Sequence, residues 1–153
     1  SHPAAFISID VGESWRPYAP RANSEVGTGI FAFNIGQEAQ ILDAFLADRE
    51  AAKVKFNNEQ SFVEEYAKSM HFWPEGWVIS FKRWLRRPLG VDLFLPPKEP
   101  PEYAKIVAFH GDPRPAQLMR QGINFWDKFP HMGHGQVGWM MDYWKRFGGT
   151  IKT

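Results

Sequence analysis

Apolar residues in this chain come in short runs parted by proline, glycine and asparagine, and the period inside the runs changes along the sequence. Ala4 to Ile9 is a compact apolar run of strand length, and Gly27 to Phe33 is a second, ended by Asn34-Ile35-Gly36. From Gln37 to Asp48 the spacing becomes helical. Ile41, Leu42, Phe45 and Leu46 share one face while Glu38, Asp43, Asp48 and Arg49 lie off it, which predicts a helix packed on the sheet. A further helix is predicted over Phe56 to Ala67, with Phe62, Val63, Tyr66 and Ala67 as its apolar positions. Asn57 followed by Gln60 matches a capping box, and Phe56 is placed to supply a hydrophobic staple.

Pro74-Glu75-Gly76 reads as a turn and Trp77 to Phe81 as a third strand. Pro88, Pro96, Pro97, Pro100 and Pro101 then impose an extended connection, with Leu93-Phe94-Leu95 packed on the body. The run Lys105 to Phe109 is a strand apolar enough to be buried on both faces, and it exits through the turn residues Gly111-Asp112-Pro113. A helix is expected after Pro115. Val137, Met140, Met141, Trp144 and Phe147 form a last helical stripe, stopped by Gly148-Gly149. Runs of both periods in alternation predict an α/β fold, a mixed sheet of about four strands with helices packed on it.

Length and composition narrow the picture. At 153 residues one domain spanning 1–153 is expected, with Ser1-His2 a cloning remnant. Lys+Arg 18 against Asp+Glu 17 gives no overall basic surface, so nucleic acid is not expected as a partner even though Lys82-Arg83-Trp84-Leu85-Arg86-Arg87 is a local basic cluster. That cluster reads as a solvated face, with an anion-binding module able to hold a phosphate or a nucleic-acid backbone as the alternative. The absence of cysteine excludes disulfides and thiolate metal sites and accords with a cytoplasmic location; no apolar run is long enough for a membrane span. Seven Trp and thirteen Phe are enough both to fill a core and to leave aromatic faces that stack on sugar rings.

The chemistry-bearing residues concentrate after the Lys105 to Phe109 strand. Ligands in open α/β sheets bind beyond the carboxyl ends of strands, and there stand His110, Gly111 and Arg114: an imidazole able to ligate a metal, a glycine that lets phosphate approach the backbone, and a guanidinium. A hydrogen-bonded rim histidine before an ordinary turn explains the same residues structurally. His131 and His134 would complete a set of three imidazoles, but no carboxylate-histidine helix motif accompanies them. Asn23-Ser24 sits in an irregular connection, as turn caps or as ligand contacts.

The run IVAFHGDPRP resembles the C-terminal signature of bacterial GT-A glycosyltransferases of the family 8-like group, with FNNEQSFV and WPEGWVISFKR agreeing in order and spacing. The resemblance covers roughly Val26 to Trp144. It implies the C-terminal part of a GT-A fold and transfer of a sugar from a nucleotide-sugar donor to an acceptor. It further implies His110 as ligand of a divalent metal (manganese or magnesium) held with the nucleotide diphosphate, Gly111 and Arg114 at the donor phosphates, Glu59 and Gln60 near the anomeric carbon as catalytic residues, and Asn23 and Ser24 on the acceptor side. Helix capping accounts for Glu59 and Gln60 equally well, and Glu59 stands where that group more often has Asp. No Asp-x-Asp motif occurs in the chain, so the resemblance is to a C-terminal half whose N-terminal half would be a partner. The alternative is a non-catalytic carbohydrate- or partner-binding domain built on the same scaffold.

Overall fold

The computed structural model describes residues 6–12, 25–122, 124–127 and 132–150. The chain is mixed α/β and divides into two compact units, Ser1–Val78 and Ile79–Thr153.

The first unit holds a three-stranded sheet in the order β2-β1-β3, formed by β1 (Phe6–Asp10), β2 (Val26–Ala32) and β3 (Met70–Phe72). β1 runs antiparallel to β2, with Ile9 opposite Gly27 and an irregularity before Ile7 meets Ala32, and parallel to β3, with Phe6 opposite Met70. Phe6, Ile9 and Val26 are buried, as is Ser8, whose hydroxyl donates to the Gly27 carbonyl at 2.7 Å. Gly27 is required by packing, since a methyl group there would overlap the Ile9 and Val11 side chains. The three helices are α1 (Ala39–Ala47), α2 (Arg49–Lys55) and α3 (Glu59–Tyr66). Asp48 separates the first two by capping α2 through the Ala51 N–H at 2.8 Å. Its cap went unread in the sequence because Arg49 to Lys55 lacks an apolar stripe.

Helix α3 packs most closely on the sheet, against β2, while α1 packs chiefly on α2 and α3. None of α1's residues is buried, and Leu42 and Leu46 stand 59% and 50% exposed. Between α1, α3 and the sheet lies an open aromatic cleft of about 590 Å³ that includes Phe31, Phe33, Phe45 and Phe62. The cap of α3 is Asn58, not Asn57: the Asn58 carboxamide accepts the Ser61 N–H at 2.9 Å. Phe56 still packs on Phe62, ring centroids 5.2 Å apart, so the aromatic staple exists one residue further from the cap than the pattern implied.

The second unit contains a two-stranded sheet, β4 (Val78–Ser80) with β5 (Ile106–Ala108), in place of a share in one sheet of about four strands. Ile106 is 39% exposed and Val107 and Ala108 are half-buried, so the strand is not buried on both faces. The core gathers Ile79, Phe81, Leu85, Leu118, Trp126, Val137 and Met140, with Phe109 stacked on Phe81 at 5.1 Å. Each such side chain contributes about 1.5–3 kcal/mol on full burial. Two helices contribute to it, α4 (Pro115–Leu118) through Leu118 and α5 (Gly138–Arg146) through Met140. Gly148 at φ +81° terminates α5 as the glycine pair predicted. Phe94 is 84% exposed, so Leu93-Phe94-Leu95 does not pack as a block; Asp92, just before it, is buried.

Candidate functional site

The rim of the second unit is built where β4 and β5 end. After β4 the chain enters a π-helical turn, Phe81–Leu85, whose N-cap is Ser80. The fully buried Ser80 hydroxyl accepts the Arg83 N–H at 3.3 Å, and it lies 3.4 Å from Nδ1 of His110, two residues beyond the end of β5. Strand pairing thus joins positions thirty apart in sequence. Next to His110, Gly111 takes φ +67°, a left-handed conformation that favours glycine, and a methyl on it would stand 3.5 Å from the Lys82 ammonium. Asp112-Pro113 is a cis peptide, with Pro113 fully buried beneath the turn.

Lys82 is therefore a neighbour of the His110-Gly111 turn. Partial burial of the imidazole, then the charges of Lys82 and Arg83, hold the His110 pKa below its ordinary 6.5. At neutral pH the ring is uncharged. Lys82 leans on Asp127 at 3.7 Å, and Asp127 also takes Arg86 at 3.3 Å. Arg86 is buried and paired with Asp92 at 2.6 Å, which corrects the reading of Lys82 to Arg87 as a wholly solvated face. Arg87 donates through Nε to the Pro96 carbonyl at 3.0 Å. Lys82 stands beside the His110 turn, and the charges of Lys82 and Arg83 both act on the ring.

Arg114 is exposed and serves as N-cap of α4: its N–H donates to the Gln117 carboxamide, and its carbonyl accepts the Gln117 N–H at 2.9 Å. The same unit thus supplies His110, Gly111 and Arg114, together with Ser80, Lys82 and Arg83, which the sequence pattern did not bring to this turn. The signal was the basic run directly after a strand; what could not be read was that this strand pairs with the one ending at His110.

Glu59 and Gln60 belong to the first unit. Glu59 is exposed at the start of α3, accepts the Thr28 hydroxyl at 3.1 Å and borders the aromatic cleft; Gln60 is half-buried in the same turn. A carboxylate there also suits the helix dipole. Asn23 and Ser24 lie outside the described residues, as does His131. His134 accounts for itself structurally, with Nε2 at 2.9 Å from the Leu93 carbonyl and its ring edge-on to Phe125.

The donor set at the rim does not by itself fit a divalent metal. Among the described residues no three His, Cys, Asp or Glu side chains gather as ligands. His110 also stands beside two cations, whereas manganese and magnesium prefer several oxygens. What the rim does suit is an anion: two cationic side chains, a neutral imidazole and an exposed left-handed glycine converge on one turn. Among the described residues no helix is long and apolar enough to cross a membrane. No protein-family model, curated protein or solved structure matches this chain.

Proposed function

We propose that the His110-Gly111 rim binds the diphosphate of a nucleotide sugar and that the chain is the C-terminal portion of a GT-A glycosyltransferase. The observation that carries this reading is Lys82 beside Gly111, with Lys82 and Arg83 both acting on the His110 ring. Departure of a nucleoside diphosphate from a sugar builds negative charge on the leaving phosphate, and fixed cations at that position lower the barrier. Lys82 and Arg83 would oppose that charge, the Gly111 backbone would let the phosphate come close, and neutral His110 would donate or accept a hydrogen bond. A divalent ion enters only in company with the diphosphate, whose oxygens would supply most of its ligands. Glu59 and Gln60, in the first unit, keep a catalytic role by resemblance alone. Asn23 and Ser24 keep theirs on the acceptor side by resemblance alone.

Calorimetry of the protein with a panel of nucleoside-diphosphate sugars, with and without manganese, tests the reading. Binding that Lys82→Gln and Arg114→Gln weaken supports it. Failure of every nucleotide sugar to bind at millimolar concentration overturns it.

A further inference from the structure

The second unit carries another concavity, a groove of about 980 Å³ between β5, the Pro100-Pro101 segment and helix α5. Its volume is at the upper end of ordinary ligand pockets, roughly 300–1,000 Å³. Trp139, Tyr143 and Trp144 line it from α5, and Tyr143 and Trp144 are 62% and 43% exposed. Among the described residues the Trp139 indole N–H is buried without a hydrogen-bond partner. Among the polar lining residues are Glu99, Glu102 and Lys105 near β5 and Asp142 on α5. Among the described residues these four make no ion pair or side-chain hydrogen bond, so their hydrogen-bonding capacity is directed to solvent.

We infer that this groove is a binding site for a neutral oligosaccharide. Aromatic faces cover the apolar C–H faces of sugar rings, and carboxylates and an ammonium group satisfy the surrounding hydroxyls in either direction. Charges of both signs line the groove, with Arg146 added to Lys105 against the three carboxylates, so a strongly charged ligand of either sign would meet repulsion as well as attraction. A purely apolar ligand would strip water from those charges without replacing their hydrogen bonds. A neutral polyol with apolar faces meets neither objection. The site goes beyond the proposed phosphate rim and stands or falls separately from it.

Screening the intact protein on an array of neutral and acidic glycans, then titrating the strongest neutral binder by tryptophan fluorescence, tests the inference. The expected result is saturable quenching by a neutral glycan. Tyr143→Ala and Asp142→Asn should each weaken it by about tenfold or more, without lowering the melting temperature by more than a few degrees, while His110→Ala leaves it unchanged. The inference is overturned if no neutral glycan binds, if only acidic glycans bind, or if Tyr143→Ala and Asp142→Asn bind as well as the parent. It is equally overturned if His110→Ala removes glycan binding.

Discussion

Arg86 and Asp92 form a buried ion pair, Nη2 to Oδ2 2.6 Å, with 5% and 2% of their side-chain surfaces exposed. The pair ties the turn after β4 to the helical turn Val91–Leu93, and through Asp127 it connects to Lys82 at the rim. Removing one partner of a buried pair strands the other charge, at a cost of about 3–5 kcal/mol. Asp92→Ala should therefore unfold the second unit at much lower urea, whereas Asp127→Ala, which removes the longer 3.3 Å contact to Arg86 and leaves Asp92 in place, should cost less. Urea melts followed by tryptophan fluorescence would show the order; equal effects would mean that the Arg86–Asp92 contact is not the one holding the turn.

The cap of α3 makes a second, finer test. Asn58→Ala should cost about 1 kcal/mol and lower the melting temperature by several degrees. Asn57→Ala should be close to neutral, because the hydrogen bond to Ser61 belongs to Asn58. A larger loss at Asn57 would shift the helix start back by a residue.

Packing at the β1–β2 pair gives a third. Gly27→Ala places a methyl against Ile9 and Val11 in the buried face of the sheet, and overpacking of this kind costs about 1–3 kcal/mol. Gly29→Ala, in the same strand with no neighbour in reach, should be tolerated. Thermal melts of the two variants decide it.

The pH dependence follows from His110. Its folded pKa lies below the unfolded value of 6.5, because partial burial and the Lys82 and Arg83 charges disfavour the imidazolium. The unfolded chain then binds the proton more readily, so this residue's contribution to stability is complete above 6.5 and is lost as pH falls through the lowered folded value. Lys82→Gln removes one of the causes. It should raise the His110 pKa in an NMR titration and reduce the loss of stability between neutral and mildly acidic pH; an unmoved pKa would show that Lys82 does not face the ring.

How much of this was legible in the sequence depends on what each residue's role rests on. Helices α1, α3 and α5 follow from apolar spacing, and the turn at Gly111 from local backbone chemistry, both of which act over a few residues. β3, only Met70–Phe72, is too short to show a period, and α2 rests on the Asp48 cap rather than on a stripe. Long-range pairing is what the pattern could not supply. Residues 80 and 110 meet only because β4 pairs with β5, and that pairing moves Lys82 and Arg83 from a basic run to the flank of His110. Arg86 looked like its basic neighbours, yet its fate was set by Asp92, whose acidity within a Pro-rich connection gave no hint of burial.

Whether the His110-Gly111 rim receives phosphate is decided by an NMR titration of the His110 imidazole with inorganic pyrophosphate. His110→Ala identifies the resonance among the five histidines of the chain. A bound anion offsets the Lys82 and Arg83 charges, so the account predicts saturable shifts of the His110 signals, a rise in its pKa on binding, and weakening of both by Lys82→Gln and by added salt. His110 signals and pKa that stay unmoved by pyrophosphate up to about ten millimolar, a concentration that would reveal even an affinity worth about 4 kcal/mol, would contradict it.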